Sequence, residues 1–537
     1  MQVVKRFIQK LEDHRLLVAI IFTLAFIAIH IPLIFVHEPW SDETNPWAIA
    51  QKIDVTNAYE LKFADPHSLA WEMILAPFAH LGLPEITMHF VSLTIVALAV
   101  FLLMYKSPFH LATRILFSCS AIFFYFNPVV SRDYCLIPLA VTLVACTYQK
   151  RFEHPIKYGL ALAALLQSHF LMAGLAGIMT IVFFIQYLVR KDRLKLKIKT
   201  LITSLTIVAA SLASLMPMVV TTFMDHAVVS DTTTAEQSEL ELAELPPKKN
   251  VVEEINRSLY GFDFPVLMIV IVLLSITLLV ENHTVLIYLV THLAFCLATM
   301  TMIYENYSHF TQKSSIILIG VLLALWLMRA EEDSAREKSY TVQKILEKSE
   351  LFKVIEIIFS GRIKYIYMLA IVLTIPYTAA AAVRDISEPY DYGVAFTEAL
   401  EQFEDDAVFV VGDDSSYWYS YGPAVLLRGN RKIYSVVYQE YMSIGRYKKS
   451  DNDLLMKEHP DQEIADGIAE ICKDHDHVYF LSTRFDIEEK YLKDMETRHD
   501  KLLQEMELVD TVHLKGYAAM DLEDQGDLQV EIYKTCK

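Results

Sequence analysis

The feature that most constrains this chain is a series of apolar runs, each close to the roughly 20 residues that a helix needs to cross a bilayer. Hydrophobic residues make up 54% of the sequence and the mean hydropathy is +0.33, so a soluble class is excluded. We therefore predict an α-helical polytopic membrane protein. The expected spans are eleven, at about 17–36, 85–105, 111–127, 129–148, 157–170, 172–189, 200–222, 264–281, 284–303, 314–329 and 364–383.

The positively charged residues predict the orientation, because Lys and Arg concentrate in cytoplasmic loops. Lys5, Arg6 and Lys10 precede the first run, and a basic segment extends from Arg190 to Lys199. The alternate loops contain few such residues. We expect a multi-pass plasma-membrane protein with a cytoplasmic N-terminus and, after eleven spans, an extracytoplasmic C-terminus. The first run is too long for a signal-peptide core, so we expect it to be retained.

The net charge of −18 lies in the last part of the chain. Residues 385–537 contain 34 acidic and 16 basic residues, which excludes binding of nucleic acid through net charge. Short apolar runs at 407–412 and 477–481 alternate with helical spacing at 393–403 and 461–473, a pattern typical of a small α/β domain. We expect residues 1–383 to form the membrane domain and residues 385–537 to form a soluble extracytoplasmic domain.

Six cysteines divide between the two predicted domains. Four of them lie in apolar runs and are most simply packing residues. Cys472 and Cys536 lie in the soluble domain. The extracytoplasmic compartment permits a disulfide between them, and two free thiols are the alternative.

Two adjacent acidic residues, Asp42 and Glu43, lie where the first run ends, in an outer loop at 37–84. Adjacent carboxylates repel one another, and burial raises the cost of their charge. A metal ion, a cationic substrate group or a proton would offset that charge. Asn45-Pro46 matches a helix cap followed by the first helical residue, which predicts a surface helix at 46–53. The alternative is an ordinary solvated loop.

The first outer loop contains a second cap-like pair, Asp65-Pro66. It predicts a juxtamembrane helix that reaches about His80 and ends before Gly82 and Pro84. His67, at the start of this helix, is either a ligand or proton carrier or simply an interfacial histidine.

Arg132 and Asp133 are isolated charges in a short second outer loop, followed by Tyr134. Charges at the membrane edge are costly and are therefore functional candidates. A guanidinium suits a phosphate, because it can donate two parallel hydrogen bonds. The alternative is an Arg132–Asp133 pair that only anchors the span.

Other polar residues fall at later outer turns. His169 either lines a cavity or is a satisfied core histidine. His309 and Lys313 lie in a turn at the interface. The loop at 223–263 is long and acidic, and is either a lid or a solvated connector.

Taken together, these motifs resemble the GT-C glycosyltransferase superfamily, in the family 39-like branch that includes protein O-mannosyltransferases and lipid A aminoarabinose transferases. Asp42-Glu43 matches the acidic pair of the family's first outer loop. Arg132-Asp133-Tyr134 matches the Arg-Asp/Asn-Tyr motif of its second outer loop. The segment His67-Ser68-Leu69-Ala70-Trp71 retains the His and Trp of a His-Pro-Pro-Leu-Trp-like motif without its prolines. Ser308-His309-Phe310-Thr311 retains only the His of an Arg-His-x-Gly-like turn. The resemblance covers about residues 1–383.

The resemblance implies inverting transfer of a sugar from a polyprenyl-phosphate carrier to an envelope lipid, glycan or protein. It implies Asp42 as general base, with Glu43 orienting it or, with Asp42, holding a divalent metal ion. Asp133 would assist, and Arg132 would stabilise the leaving phosphate, with Lys313 or His309 as further candidates. The remaining candidates for substrate binding are His67, Tyr134 and His169.

Three other functions remain open at this point. A transporter or flippase would place ionisable groups near mid-membrane and show paired repeats, and the sequence has neither feature. A polysaccharide polymerase would use a long outer loop rich in Arg and His, whereas the loop at 223–263 is acidic. A non-catalytic scaffold is the third alternative, which the retained acidic residues argue against.

Overall fold

The structure is a computed structural model that describes most of the 537-residue chain. The described residues are 10–54, 56–58, 68–190, 197–232, 251–303, 311–333, 366–391, 393–412, 431–436, 439–442, 460–485, 500–515 and 527–536. The chain divides into two compact units. Met1–Ile34 and His89–Ala382 form one, here called the helical unit, and Phe35–Met88 and Val383–Lys537 form the other, here called the mixed unit.

Helices account for most of the described residues. In chain order they are α1 Arg15–Val36, α2 Ser41–Ala50, α3 Ala70–His80, α4 Thr87–Lys106, α5 Leu111–Ser118, α6 Leu136–Tyr148, α7 Pro155–Ser168, α8 Ala173–Arg190, α9 Ile198–Thr232, α10 Val251–Tyr260, α11 Val266–Glu281, α12 His283–Ile303, α13 Thr311–Asp333, α14 Ile366–Val372, α15 Ile375–Ser387, α16 Gly393–Leu400, α17 Pro460–Ile471 and α18 Asp500–Leu503. Single 3₁₀ turns at Asp133–Cys135 and Phe170–Met172 precede α6 and α8.

Seven helical segments in the described part of the chain are long and apolar enough to cross a membrane. They are Arg15–Val36, Thr87–Lys106, Phe170–Arg190, Ile198–Leu215, His283–Thr301, Thr311–Ala330 and Ile366–Ser387. Asp133–Tyr148 and Val266–Leu279 are shorter apolar helices. The predicted polytopic helical membrane fold is confirmed, whereas the number of eleven spans is not.

The predicted span at 111–127 is not a continuous helix. Helix α5 ends at Ser118, and the chain continues to residue 132 in turns. The backbone groups of these turns bond to side chains from distant parts of the helical unit: the amide of Ala121 donates to the hydroxyl of Thr374, and the hydroxyl of Ser92 donates to the carbonyl of Asn127. Non-helical backbone at membrane depth requires such internal partners. Apolar composition alone could not distinguish this buried loop from a helix.

The predicted acidic loop at 223–263 is partly helical. Helix α9 continues to Thr232, and α10 occupies Val251–Tyr260. Residues 233–250 lie outside the described residues, so the interpretation as a lid or a connector remains open.

The mixed unit contains a six-stranded sheet. The strands are β1 Val408–Val411, β2 Lys432–Ser435, β3 Glu440–Tyr441, β4 Val478–Phe485, β5 Glu507–Lys515 and β6 Asp527–Lys534, in the order β3-β2-β1-β4-β6-β5. Strand β1 pairs in parallel with β2 and β4, and the other pairs are antiparallel. Both predicted strands and both predicted helices are present, which confirms an α/β arrangement near the C-terminus.

Buried apolar side chains cover both faces of the sheet. Phe396 and Leu400 of α16 pack with Phe409 on one face, and Ile464 and Ile468 of α17 pack on the other. Alternate residues of a strand point to opposite faces, so a helix on each side explains why β1 is buried throughout. Independent folding of residues 385–537 stays a prediction.

Cys472 and Cys536 form a disulfide, with their Cα atoms 5.7 Å apart. It joins the end of α17 to the residues just after β6 and closes a sequence separation of 64 residues. Of the two alternatives that the sequence left open, the structure therefore has the bonded one.

Candidate functional site

The acidic pair of the first loop lies inside a helix. Helix α2 begins at Ser41, and the extended residue before it, Trp40, accepts hydrogen bonds at its carbonyl from the amides of Glu43 and Thr44. Asp42 and Glu43 therefore occupy the first turn, where the positive end of the helix dipole stabilises carboxylates. The predicted start at Asn45-Pro46 is wrong, and Pro46 stands within the helix. Acidic residues in a first turn also indicate the start of a helix, so Asp42 and Glu43 indicate an earlier start than the Asn45-Pro46 pair does.

A buried histidine joins this helix to the C-terminal part of the mixed unit. His37 is the first residue after α1, and its Nε2 lies 3.0 Å from Glu43 Oε2. Its Nδ1 lies 3.0 Å from Oδ2 of Asp385, in α15. All three side chains are fully buried. The ring of Tyr390 contacts the imidazole edge to face, with the centroids 4.6 Å apart. We call His37, Glu43 and Asp385 the carboxylate–histidine triad.

The geometry of the triad indicates a charged histidine. Each ring nitrogen faces a carboxylate oxygen, and only an imidazolium has a hydrogen to donate at both nitrogens. Burial acts to lower the pKa of His37, but the carboxylates of Asp385 and Glu43 outweigh it and raise the pKa to about 10. The ring is therefore protonated at neutral pH and offsets part of the negative charge of its two partners.

Glu43 has a second donor, because its Oε2 also accepts the backbone N–H of Trp40 at 3.2 Å. Protein donors thus fix this carboxylate at the helix start. A divalent ion on Glu43 would place another cation beside the His37 imidazolium. The contacts of Glu43 therefore fit a positioning role better than a metal ligand. Asp42, one residue earlier, is half-buried.

A second cluster lies in the helical unit. Arg132, Asp133, Tyr134 and His169 are all buried. The guanidinium carbon of Arg132 lies 5.2 Å from the centroid of the Tyr134 ring, and that ring is 4.6 Å from the ring of His169. The 3₁₀ turn at Asp133–Cys135 begins directly after the extended Arg132. The structure therefore brings four predicted site residues together, from two different turns of the chain.

His169 has a defined tautomer in this cluster. Its Nδ1 accepts the backbone N–H of Leu171 at 3.1 Å. The proton of the neutral ring therefore lies on Nε2, which makes Nε2 a hydrogen-bond donor.

Lys313 is buried near the start of α13. The preceding residue, Gln312, donates from Nε2 to the carbonyl of Phe126 at 2.6 Å and to that of Val130 at 3.5 Å. These bonds hold the start of α13 against the loop that leads to Arg132.

The remaining predicted site residues, His67 and His309, lie outside the described residues. Asp42 and Glu43 belong to the mixed unit, and the Arg132 cluster and Lys313 belong to the helical unit. Sequence reasoning missed His37, Asp385 and Gln312 as functional candidates. The position of His37 at the end of an apolar run is a local signal. Asp385, however, lies 348 residues further on, and no local pattern links the two.

Comparison with known proteins gives a likeness in structure alone. No family model matches the chain, and no curated protein matches it. The crystal structure of ArnT from Cupriavidus metallidurans in the apo state matches with a TM-score of 0.46 at 12% identity, over 96% of this chain and 98% of that one. The same protein bound to undecaprenyl phosphate matches with a TM-score of 0.46 at 11% identity, over 95% and 98%.

At this TM-score and identity, the likeness establishes neither family membership nor an activity for this chain.

Proposed function

We propose that this protein is an integral-membrane glycosyltransferase that moves a sugar from a polyprenyl-phosphate donor to a hydroxyl group of an envelope acceptor, with inversion. The observation that carries the proposal is the carboxylate–histidine triad, which fixes the first turn of α2 and with it Asp42. A charged triad without exposure to solvent is costly to build. This cost is explained if the triad serves to hold the neighbouring carboxylate, Asp42, in one position.

Asp42 is the proposed general base. It takes the proton of the acceptor hydroxyl while the acceptor oxygen bonds to the anomeric carbon. The bond from that carbon to the phosphate oxygen breaks, and polyprenyl phosphate leaves. Glu43 positions the base through its bonds to His37 and Trp40. Asp133 is the proposed second acidic group.

Arg132 is the proposed phosphate ligand, because its guanidinium can donate two parallel hydrogen bonds to phosphate oxygens. Tyr134 adjoins Arg132 and His169 adjoins Tyr134, and the Nε2–H of His169 is proposed as a further donor. Lys313 is the second cation proposed for the phosphate. His67 and His309 stay substrate-binding predictions from the sequence resemblance.

The test is transfer of labelled sugar by the full-length protein in nanodiscs. Polyprenyl-phosphate mannose, glucose and aminoarabinose serve as donors, and an extract of envelope lipids and glycans serves as acceptor. The Asp42→Asn change keeps the size of the side chain but removes the base, so transfer should fall by about 10²–10⁴-fold. The anomeric configuration of the product, measured by NMR, tests inversion.

Asp54→Asn is the matched control for this experiment. Asp54 lies in the same loop, and its exposed carboxylate accepts local hydrogen bonds from Thr56 and Asn57, so this change should leave transfer intact. Full activity in an Asp42→Asn and Asp133→Asn double variant would refute the mechanism and favour a transporter or a scaffold. Loss of activity with a chelator, restored by a divalent metal, would assign Glu43 to a metal instead of to positioning.

A further inference from the structure

A buried arginine and three buried tyrosines meet in the helical unit, apart from the Arg132 cluster. Arg151 follows α6, and its guanidinium carbon lies 3.8 Å from the centroid of the Tyr148 ring. The Tyr148 ring is 6.2 Å from that of Tyr158, on α7, and 6.2 Å from that of Tyr288, on α12. All four side chains are at least nine-tenths buried. We call this group the arginine–tyrosine cluster.

No residue that the structure describes balances the charge of Arg151. Its Nη1 donates to the carbonyl of Tyr148 at 2.8 Å, and its Nη2 donates to the side-chain oxygen of Gln186 at 3.1 Å. Both acceptors are neutral. Among the described residues Arg151 forms no ion pair, and its buried Nε has no hydrogen-bond partner. An ionised group buried without a counter-charge is among the costliest features of a fold.

A tyrosine hydroxyl points to the same need for a ligand. The buried hydroxyl of Tyr158 has no hydrogen-bond partner among the described residues. Buried polar groups in native proteins are nearly always bonded. A ligand that accepts hydrogen bonds and carries negative charge would satisfy the guanidinium of Arg151 and the hydroxyl of Tyr158 together.

The surroundings of the cluster favour a lipid as the source of that ligand. Phe152 lies close to two guanidinium groups, with Arg151 at 4.6 Å and Arg190 at 5.1 Å from its ring centroid. Arg190 ends an apolar helix long enough to span the membrane and begins the basic segment that runs to Lys199. Basic residues directly beside a membrane helix attract anionic lipid headgroups.

We propose that the arginine–tyrosine cluster binds the phosphate of an anionic phospholipid, with Arg151 as the charged ligand and Tyr158 as a hydroxyl donor. Arg190 lies at the edge of this site. The site is separate from the transfer chemistry proposed above and does not depend on it.

The experiment measures binding to delipidated full-length protein in detergent, by native mass spectrometry and by the shift in melting temperature. The probes are phosphatidylglycerol, diacylglycerol with the same acyl chains, and inorganic phosphate. Phosphatidylglycerol should bind and stabilise the wild type, whereas diacylglycerol, which has no phosphate, should not. Arg151→Gln should weaken phosphatidylglycerol binding about tenfold to hundredfold, the loss expected for a charge-assisted hydrogen bond. Arg329→Gln, an arginine outside the cluster, should leave binding unchanged.

Tyr158→Phe keeps the proposal testable if Arg151→Gln fails to fold. It removes only a buried hydroxyl, so the protein should fold, yet phosphatidylglycerol binding should weaken about fivefold. Equal binding by the wild type and both variants would overturn the site. Equal stabilisation by diacylglycerol would overturn the role of the phosphate. Stabilisation by inorganic phosphate alone, lost in Arg151→Gln, would overturn the lipid assignment and make free phosphate the ligand.

Discussion

Two buried cations in this chain are surrounded in opposite ways. His37, in the mixed unit, lies between two carboxylates at 3.0 Å each. Arg151, in the helical unit, lies among aromatic rings with a backbone carbonyl and an amide oxygen as its acceptors. The first cation has more negative charge beside it than it can neutralise, and the second has none among the described residues.

The difference indicates what each group is for. Where the protein supplies both partners, as for His37, the ions hold elements together: the triad joins the start of α2 to α15. Where the described residues supply only neutral acceptors, as for Arg151, the proposed anionic lipid supplies the counter-charge. A buried ion is therefore informative through its counter-ions as much as through its own identity.

The largest expected effect comes from breaking the triad. His37→Leu removes the imidazolium and leaves Glu43 and Asp385 buried beside an apolar group. Removal of one partner from a buried ion pair costs about 3–5 kcal/mol, so the variant should unfold at a markedly lower temperature in detergent. The proposed base Asp42 should also lose its fixed position, and sugar transfer should fall with it.

A triple variant checks this result. Changing His37, Glu43 and Asp385 together to apolar residues of similar size removes the charges with their counter-charges. This variant should recover much of the stability that His37→Leu loses, because a buried ion network can often be replaced at little cost. Equal stability of His37→Leu and the wild type would contradict the view that the triad is structural.

The second effect is a dependence of stability on pH. The pKa of His37 is raised in the folded protein to about 10 from an ordinary value of 6.5. Its contribution is therefore complete below pH 6.5 and is lost as the pH rises through about 10. The gap in melting temperature between the wild type and His37→Leu should shrink over this range. A gap that does not change between pH 6.5 and 10 would show that His37 is not charged in the folded state.

The sequence predicted the class of fold well, because apolar runs and strand patterns are local signals. The apolar helices, the α/β arrangement and the helix α3 at Ala70–His80 all followed from residues close together in the chain. The segment at 111–127 failed as a helix because its backbone partners, such as Thr374, come from distant residues.

The sequence predicted individual residues of the candidate site but not the contacts between them. Arg132, Asp133 and Tyr134 stand out because they interrupt an apolar stretch. Asp42 and Glu43 stand out as neighbours, but the partners that hold Glu43 do not, because Asp385 is far away in the chain. Arg151 gave no signal either: it lies in a basic loop, where an arginine is expected to be solvated, and its burial follows from the packing of α6, α7 and α12.

The smallest effect on stability is expected for the second cation, and its sign tests the comparison. In delipidated detergent, the buried Arg151 charge has no counter-ion among the residues that the structure describes, so Arg151→Met should remove a cost together with two hydrogen bonds to neutral acceptors. These two effects on stability oppose each other. The free energy of unfolding of the variant should therefore lie within about 2 kcal/mol of the wild-type value or exceed it. Melting temperatures of Arg151→Met and His37→Leu, measured side by side, decide the matter. A loss of stability in Arg151→Met as large as that in His37→Leu would mean that Arg151 is already balanced within the protein, and the distinction between the two cations would fail.

After phosphatidylglycerol is added, the stability of the wild type relative to Arg151→Met should rise. The wild type gains stability, whereas Arg151→Met, which has no charge for the phosphate, does not.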